Sequence, residues 1–326
     1  MLFITEFVIT FLIILVCGFV AGLIGGLLGL GGAVVLTPLL TSIFENLPIQ
    51  YAAGISLVSA LATSLMSGYR YLNMKLPNIK VMLFLCPIAT FGAIVGSLMA
   101  YHLISRGFNW ILYLVFSFIM ILTMVLSLKR KEKYTITPIL TGQGDIDHVI
   151  LNDAFFDATL KTYVNYTIYR GDFIKSIPIM FFGGLMSGLL GIGGGPINIL
   201  ALYNVIGLPL KVATATSNLI VGVTAATSGS LYWAFGYIQP YLAMASVLGI
   251  APGAYLASYL LPRVRSSSIK IVLLSVFSYL SVRMLLSGLN RGHILIVPMM
   301  IRHIIAFSVL IIALVILIIM RKHITD

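Results

Sequence analysis

Residues 22–32 read GLIGGLLGLGG, and residues 184–194 read GLMSGLLGIGG. When the chain is shifted by 162 positions, eight of the eleven residues in these two stretches are identical. Both stretches lie inside long hydrophobic runs, and closely spaced glycines are too flexible to sustain a stable helix. The sequence therefore predicts two internal repeats, each with a hydrophobic segment that glycines break.

The repeat extends well beyond the glycines. A shift of 161 positions aligns small and polar residues that follow the two breaks, namely Ala52/Ala213, Ser56/Ser217, Thr63/Thr224, Ser67/Ser228, Gly68/Gly229 and Tyr71/Tyr232. We therefore expect two membrane repeats, at 1–128 and 173–289. An insert at 129–172 separates them, and a C-terminal membrane helix and tail follow at 290–326.

The composition places most of the chain in a lipid bilayer. Of the 326 residues, 60% are hydrophobic and only 9% are charged, which is more apolar surface than one soluble core of this size could hide. A membrane helix needs about 20 mostly apolar residues. Nine runs meet this requirement, at about 3–28, 52–72, 80–102, 109–128, 174–190, 212–235, 241–261, 269–287 and 304–320. Two shorter runs, 33–44 and 196–206, cannot cross alone.

Basic residues predict the orientation of the two halves. Lys and Arg cluster in 70–80, 129–133, 262–270 and at Arg321 and Lys322. Such clusters mark cytoplasmic loops, whereas 236–240, the uncharged counterpart of 70–80, should lie outside. The predicted fold is therefore an all-α polytopic membrane protein with two inverted repeats, each a glycine-broken helical hairpin plus three spans, and one extra C-terminal helix. The N-terminus is expected outside and the C-terminus in the cytoplasm, in the plasma membrane of a prokaryote.

The insert at 129–172 differs from the rest of the chain. It contains six of the nine acidic residues and a polar, alternating stretch that begins HVILN and ends TYVNYTIYR. Alternation is typical of strands, so we expect a small cytoplasmic domain that could contain a β-hairpin. A structured linker without chemistry of its own is the favoured interpretation, ahead of a regulatory site.

The two glycine breaks are the candidate site for a small anion. Backbone that leaves a helix inside a membrane must be buried in protein or line a water-filled cavity, so the breaks should meet at the centre. After each break a short helix begins, and its N-terminus offers N–H donors and a partial positive charge. The next helices add hydroxyl and amide groups. The candidate anion-binding residues are Gly31, Gly32, Ala33, Ser56, Gly193, Gly194, Gly195, Asn198, Thr216, Ser217 and Asn218.

Missing residue types argue against other functions. Glu6 and Glu45 lie at helix ends and no other Asp or Glu lies within a predicted span, which disfavours a carboxylate site for cations. Cys17 and Cys86 are isolated, so neither a metal site nor a catalytic constellation is predicted, and we expect no cofactor and no enzymatic activity. The nucleotide motif GxxxxGK[ST] is absent. The net charge of +11 is explained by membrane topology rather than by binding of nucleic acid.

Taken together, these motifs resemble the TauE/SafE family of membrane permeases, often called sulfite exporters. The resemblance rests on GLLGLGGAVVLTPLL, on GLLGIGGGPINILALYNVIGLPLKVATATSNLIVGVTAATSGSLY, and on the segments AAGIS at 52–56 and ATATS at 213–217. It covers almost the whole chain and implies export of sulfite, sulfoacetate or related small sulfur anions. The first repeat departs from the second at Ala33 and Leu36, where the second has Gly195 and Asn198. We therefore expect the second half to contribute more of the anion-binding groups.

The leading hypothesis is a secondary transporter, an exporter of small sulfur-containing anions such as sulfite or organosulfonates. It would bind its substrate near the midplane and expose it alternately to each side. Two alternatives remain open: a permease for other small organic anions such as carboxylates, and a non-transporting membrane partner subunit. The expected partners are a small inorganic or organic anion and the lipid bilayer. The sequence leaves the coupling ion and assembly into a homo-oligomer open.

Overall fold

The computed structural model describes residues 2–44, 47–128, 149–157, 159, 161–295 and 297–319. In these ranges the helices are α1 (Leu2–Leu28), α2 (Ala33–Ile43), α3 (Ile49–Asn73), α4 (Ile79–Ser105), α5 (Asn109–Leu128), α6 (Arg170–Leu190), α7 (Gly195–Ile199), α8 (Leu210–Ala234), α9 (Pro240–Leu260), α10 (Ser266–Arg291) and α11 (Met299–Ile319). A π-helical segment, Leu200–Ile206, continues α7, and a 3-10 turn, Leu261–Arg263, follows α9. The two strands are β1 (Val149–Asp157) and β2 (Thr162–Tyr169). Helices thus form over the nine predicted runs and over both short runs.

Seven described helices are long and apolar enough to cross a membrane, namely α1, α3, α4, α5, α6, α9 and α10. Helix α8 has 25 residues but carries many hydroxyl and amide groups, and most of these are buried against other helices. Large apolar side chains such as Leu83, Phe84 and Phe118 are exposed on the outer helices. A surface of this kind is expected where lipid replaces water. The protein is an all-α polytopic membrane protein apart from one small hairpin.

Each half contributes a helix that packs mainly against a helix of the other half. Helix α1 of the first half packs against α9 of the second, and α6 of the second half packs against α4 of the first. The contacts are backbone to backbone, because they are made at glycines. A Cβ at Gly253 would collide with the carbonyl oxygen of Phe19, and a Cβ at its repeat equivalent, Gly92, would collide with the carbonyl oxygen of Phe181. Small residues allow membrane helices to approach this closely.

Hydrogen bonds at the centre of the fold also follow the repeat. The Tyr71 hydroxyl donates to the carbonyl oxygen of Gly26 at 2.9 Å, and the Tyr232 hydroxyl donates to that of Gly188 at 3.0 Å. Each atom in the first bond has its repeat equivalent in the second. Reciprocal contacts between equivalent residues are what a two-fold relation between two halves produces. The inverted orientation of the halves in the membrane stays a prediction.

The strands form an antiparallel hairpin in which Asp157 lies opposite Thr162. The predicted insert falls partly outside the described residues, since 129–148, 158 and 160 are not among them. Strand β2 leads directly into α6, which begins at Arg170. The last three residues of the expected insert are therefore helical, because the chain turns from extended to helical backbone at Tyr169.

Polar contacts attach the hairpin to the ends of the membrane helices. The side-chain amide of Asn78, the residue before α4, donates to Asp153 Oδ2 at 3.2 Å and to the Tyr166 hydroxyl at 3.0 Å. Lys211, in the first turn of α8, forms an ion pair with Asp157. The hairpin is thus anchored on two helices, α4 and α8, from different halves of the protein.

Candidate functional site

Both glycine breaks are sharp turns that require glycine. Helix α1 ends at Leu28 and α6 ends at Leu190, and the chain then enters backbone conformations with positive φ, which side chains with a Cβ disfavour. The φ angles are +65° at Gly29, +70° at Gly31, +68° at Gly191, +75° at Gly193 and +75° at Gly194. The halves differ at one position, because Gly32 is helical, with φ of −59°, where its equivalent Gly194 is left-handed. The short helices begin immediately afterwards, at Ala33 and Gly195.

The two breaks lie against the same pair of side chains. A Cβ at Gly31 would lie 2.6 Å from Val221 Cγ1, and a Cβ at Gly193 would lie 2.8 Å from the same atom. Ala60, the repeat equivalent of Val221, is the next neighbour of both glycines, at 3.3 and 3.6 Å. The structure therefore brings the two breaks together, on either side of the point where α3 and α8 face each other.

Direct contact between the breaks is made by Gly195. A Cβ there would lie 2.5 Å from Cα of Leu30, so only glycine allows the start of α7 to approach the first break. Ala33, the equivalent of Gly195, is fully buried and already carries a Cβ. The approach of the two breaks is therefore asymmetric at this position.

Equivalent threonines support the two breaks with opposite hydrogen-bond polarity. Thr63 Oγ1 accepts a hydrogen bond from the backbone N–H of Gly32 at 3.2 Å. Thr224 Oγ1 instead donates to the carbonyl oxygen of Gly193 at 3.0 Å. Thr63 thus engages a backbone donor of the first break, whereas Thr224 engages a backbone acceptor of the second.

The predicted residues on α8 have different partners. Ser217 Oγ donates to the carbonyl oxygen of Gly29 at 2.8 Å, which places it at the first break. Asn218 donates from its side-chain amide to Ser67 Oγ at 2.9 Å, while its Oδ1 has no hydrogen bond within the described residues. Thr216 Oγ1 accepts the backbone N–H of Asn78 at 2.9 Å. The partner of Thr216 is thus the start of α4 rather than a break.

Asn198 is the most unusual of the predicted residues. It lies in α7, three residues after Gly195, and its side chain is fully buried. Neither Nδ2 nor Oδ1 forms a hydrogen bond with any described part of the chain. An unsatisfied buried amide costs about 1–3 kcal/mol, so native proteins rarely retain one without a functional reason. Ser56 Oγ, which is also fully buried, lacks a partner in the same ranges.

Two further buried hydroxyl groups near the breaks were not predicted from the sequence. Thr37 in α2 and Ser187 in α6 each have an Oγ with no hydrogen bond to the described residues. Ser187 lies close to the second break, since a Cβ at Gly194 would lie 3.5 Å from Ser187 Cβ. Thr37 aligns with Asn198 under the 161-residue shift that relates α3 to α8. Extending that shift into the short helices would have identified it.

The chemistry of this region is neutral and polar. The described residues at the breaks offer backbone N–H groups, hydroxyls and amides, and the one buried carboxylate among the described side chains, Asp157, lies in the hairpin. No group of three His, Cys, Asp or Glu side chains that could hold a metal ion is present in the described ranges. Cys17 and Cys86 are both buried free thiols. Such an arrangement can bind a small anion through hydrogen bonds and can release it, because no fixed charge opposes release.

Comparisons with known proteins show which family of membrane proteins the chain is similar to. A family model described as "Sulfite exporter TauE/SafE" matches residues 14–284. The chain is 27% identical over 267 residues to "Probable membrane transporter protein YunE" of Bacillus subtilis (strain 168), covering 80% of this chain and 92% of that protein. It is 26% identical over 237 residues to "Probable membrane transporter protein YdhB" of the same organism, covering 71% and 82%. No solved structure matches the chain.

Proposed function

The chain belongs to the TauE/SafE family of membrane transporters, and from this premise we propose that it exports a small sulfur-containing anion such as sulfite or an organosulfonate. The anion binds between the two glycine breaks. The observation that supports this most directly is the fully buried side-chain amide of Asn198, which has no partner among the described residues. A bound oxyanion would supply the acceptor that Asn198 Nδ2 lacks.

The donors around the breaks suit an oxyanion with three oxygens. The N-terminus of α2 contributes backbone N–H groups and the positive end of its helix dipole. Asn198 contributes an amide from α7, and Ser56 contributes a hydroxyl from α3. Sulfite and sulfonate groups present three oxygens in different directions, whereas a carboxylate presents two in one plane. Donors that arrive from three helices therefore favour the sulfur oxyanion.

The packing of the helices supports a model for alternating access. The pairs α1–α9 and α4–α6 are joined by backbone contacts at glycines, so each pair should move as a unit. The breaks themselves meet across the small side chains of Val221 and Ala60 and at the contact of Gly195 with Leu30. Rocking of one pair relative to the other would then open the break region first to one side and then to the other. The B. subtilis relatives favour a prokaryotic plasma membrane as the location.

Reconstitution in liposomes tests this proposal. Purified protein should exchange radiolabelled sulfite across the membrane. The variant Asn198→Leu carries the residue found at position 36 of the first repeat. Its exchange rate should be lower by at least about tenfold, because it loses a buried hydrogen bond to a charged group. Ser228→Ala is the matched control, because Ser228 is another fully buried group without a partner in the described ranges. Wild-type exchange by the Asn198→Leu variant would contradict the proposed site.

Competing anions separate the substrate classes. Excess unlabelled sulfite or an organosulfonate should inhibit exchange strongly, while lactate should have little effect. Stronger inhibition by lactate would favour a carboxylate permease. Absence of flux for sulfite, thiosulfate and organosulfonates under any imposed gradient would contradict the sulfur-anion proposal, and co-purification with a partner protein in that case would favour a non-transporting subunit.

A further inference from the structure

Two tyrosines and an arginine line one face at the end of α9. Tyr255 and Tyr259 are four residues apart, a spacing that places their side chains above one another on α9, and Arg263 lies in the 3-10 turn that follows. The Cζ atom of Arg263 lies 3.6 Å from the centroid of the Tyr259 ring. This end of α9 therefore presents an aromatic surface with a guanidinium group stacked on it.

A second arginine reaches the same surface from the other half of the protein. Arg70 lies in the last turn of α3, and its Cζ is 5.2 Å from the centroid of Tyr255 and 4.9 Å from that of Tyr259. Two guanidinium groups from different repeats thus converge on one tyrosine ring. Like charges repel each other, so such an arrangement is more stable when an anion lies between them.

No described acidic residue supplies that anion. Asp172 pairs with Lys175 and Asp157 pairs with Lys211, and neither Arg70 nor Arg263 forms a hydrogen bond or an ion pair with the described residues. Stacking on a ring occupies the face of a guanidinium group and leaves its N–H edge available. Both arginines can therefore offer charged donors to a ligand.

The surroundings place this pair at the surface of the bilayer. Tyr69 and Tyr255 are 72% and 59% exposed, and Leu72 in the last turn of α3 is 44% exposed. These exposed side chains lie within about one to two turns of the ends of the two helices, at Asn73 and Leu260. Tyrosine and arginine are enriched at this level in membrane proteins, because the rings lie among the headgroups and the cations face the phosphates. The same end is the predicted cytoplasmic one.

We propose that Arg70 and Arg263 bind the phosphate group of an anionic phospholipid such as phosphatidylglycerol. The phosphate accepts charge-assisted hydrogen bonds from both guanidinium edges, while Tyr255 and Tyr259 hold the guanidinium planes in place. Because α3 and α9 belong to different halves, the lipid joins the two repeats at the membrane surface. A free phosphate ion has the same chemistry, so the experiment must distinguish the two sources.

Native mass spectrometry of the full-length protein measures this binding directly. Protein purified in a neutral detergent is titrated with phosphatidylglycerol and, separately, with phosphatidylcholine of the same acyl chains. We expect the wild type to retain phosphatidylglycerol preferentially, and the Arg70→Gln/Arg263→Gln variant to lose this preference by on the order of tenfold. The matched control is Lys80→Gln/Arg265→Gln, which removes two exposed cations from the same end and should change retention less than about twofold.

Two further measurements make the outcome decisive. If the double variant does not fold, Arg263→Gln alone is used, since Arg263 is exposed and its loss should leave the fold intact while still reducing retention. Inorganic phosphate is then added to wild-type protein in the neutral detergent. Thermal stabilisation by inorganic phosphate equal to that by phosphatidylglycerol would assign the site to free phosphate and overturn the lipid proposal. Equal retention of both lipids by the wild type, or equal losses in the variant and its control, would also overturn it.

Discussion

Lys211 Nζ lies 2.8 Å from Asp157 Oδ1, and this ion pair joins the hairpin to the first turn of α8. The exposed fractions of the two side chains are 1% and 6%. Lys211 Nζ also donates to Thr159 Oγ1 at 3.0 Å and to the carbonyl oxygen of Pro262 at 3.2 Å. Three segments of the chain therefore meet at one ammonium group, which fixes the start of the helix that carries Ser217.

Breaking this ion pair should destabilise the protein strongly. In the Asp157→Asn variant, Lys211 remains buried without its counter-charge, which costs about 3 kcal/mol in the free energy of unfolding. Thermal unfolding of purified protein in detergent measures the change. Asp172→Asn is the control, because its ion pair with Lys175 is long, at 3.4 Å, and exposed, and should contribute less than about 0.5 kcal/mol. Similar losses for both variants would show that the buried ion pair stabilises the protein no more than the exposed one.

The same pair should make the attachment of the hairpin depend on pH. Burial acts to raise the pKa of Asp157, but hydrogen bonds from Lys211 and Thr159 outweigh burial and hold this pKa below its ordinary value. A carboxylate whose pKa is lowered by folding stabilises the folded state above its unfolded pKa, about 4 for aspartate. This stabilisation is lost as the pH falls through the lower folded pKa. The protection factors of the hairpin amides, which are the intrinsic exchange rates at each pH divided by the observed rates, should therefore fall in acid, and Asp157→Asn should remove this pH dependence.

Substitution of Asn198 should lower transport without lowering stability. Because its amide has no partner among the described residues, Asn198→Leu should leave the unfolding temperature unchanged or higher while abolishing most sulfite exchange. Ser217→Ala should behave differently, since its hydroxyl donates to the carbonyl oxygen of Gly29, and loss of this bond should cost about 1 kcal/mol. A large loss of stability in Asn198→Leu would indicate a structural role for the amide instead.

Glycine at the breaks should be replaceable only when space is made for a side chain. Gly193→Ala combines backbone strain at positive φ with a contact of 2.8 Å to Val221 Cγ1, and each effect costs about 1–2 kcal/mol. Gly236→Ala isolates the strain, because Gly236 has φ of +74° and nothing within 4 Å of a Cβ. The additional Val221→Ala substitution should recover the steric part in Gly193→Ala and none of the loss in Gly236→Ala. Unfolding temperatures of these variants provide the comparison.

The equivalent tyrosines should contribute equally if the halves are related by a two-fold axis. Tyr71→Phe removes the hydrogen bond to Gly26, and Tyr232→Phe removes the bond to Gly188. Each substitution should lower the free energy of unfolding by about 1–2 kcal/mol, since each leaves a buried carbonyl oxygen with one fewer partner. Values for the two variants that differ by more than about 1 kcal/mol would argue against equivalent environments.

Much of the fold could be predicted because hydrophobic length and glycine spacing are local signals. The breaks are expected at Gly29–Ala33 and Gly191–Gly195 from the density of glycine alone. Each contains glycines with positive φ, and the helices resume at the last residue of each range. The short helices were predicted from the length of the apolar runs that follow. Such features depend only on nearby residues, so one sequence is sufficient to identify them.

Contacts between distant residues could not be predicted in the same way. Thr216 was expected at the anion site, but its partner is Asn78, 138 residues away. The pairing of Lys211 with Asp157 depends on how the hairpin folds back onto α8, which neither segment encodes by itself. Thr37 aligns with Asn198 only at the 161-residue shift, whereas the 162-residue shift of the glycine breaks places Leu36 there. Each of these outcomes depends on the tertiary arrangement rather than on a local pattern.

The packing of helices from one half against helices of the other has a consequence for biosynthesis. Helix α1 leaves the ribosome long before its main partner, α9, which begins at Pro240. The glycine-lined surface of α1 therefore lacks its partner helix while more than half of the chain is made. During that time lipid or the insertion machinery contacts this surface. Contacts this distant in sequence slow folding, because a long loop must close before they form. The first half can therefore complete its helix packing only after the second half has been synthesised and inserted.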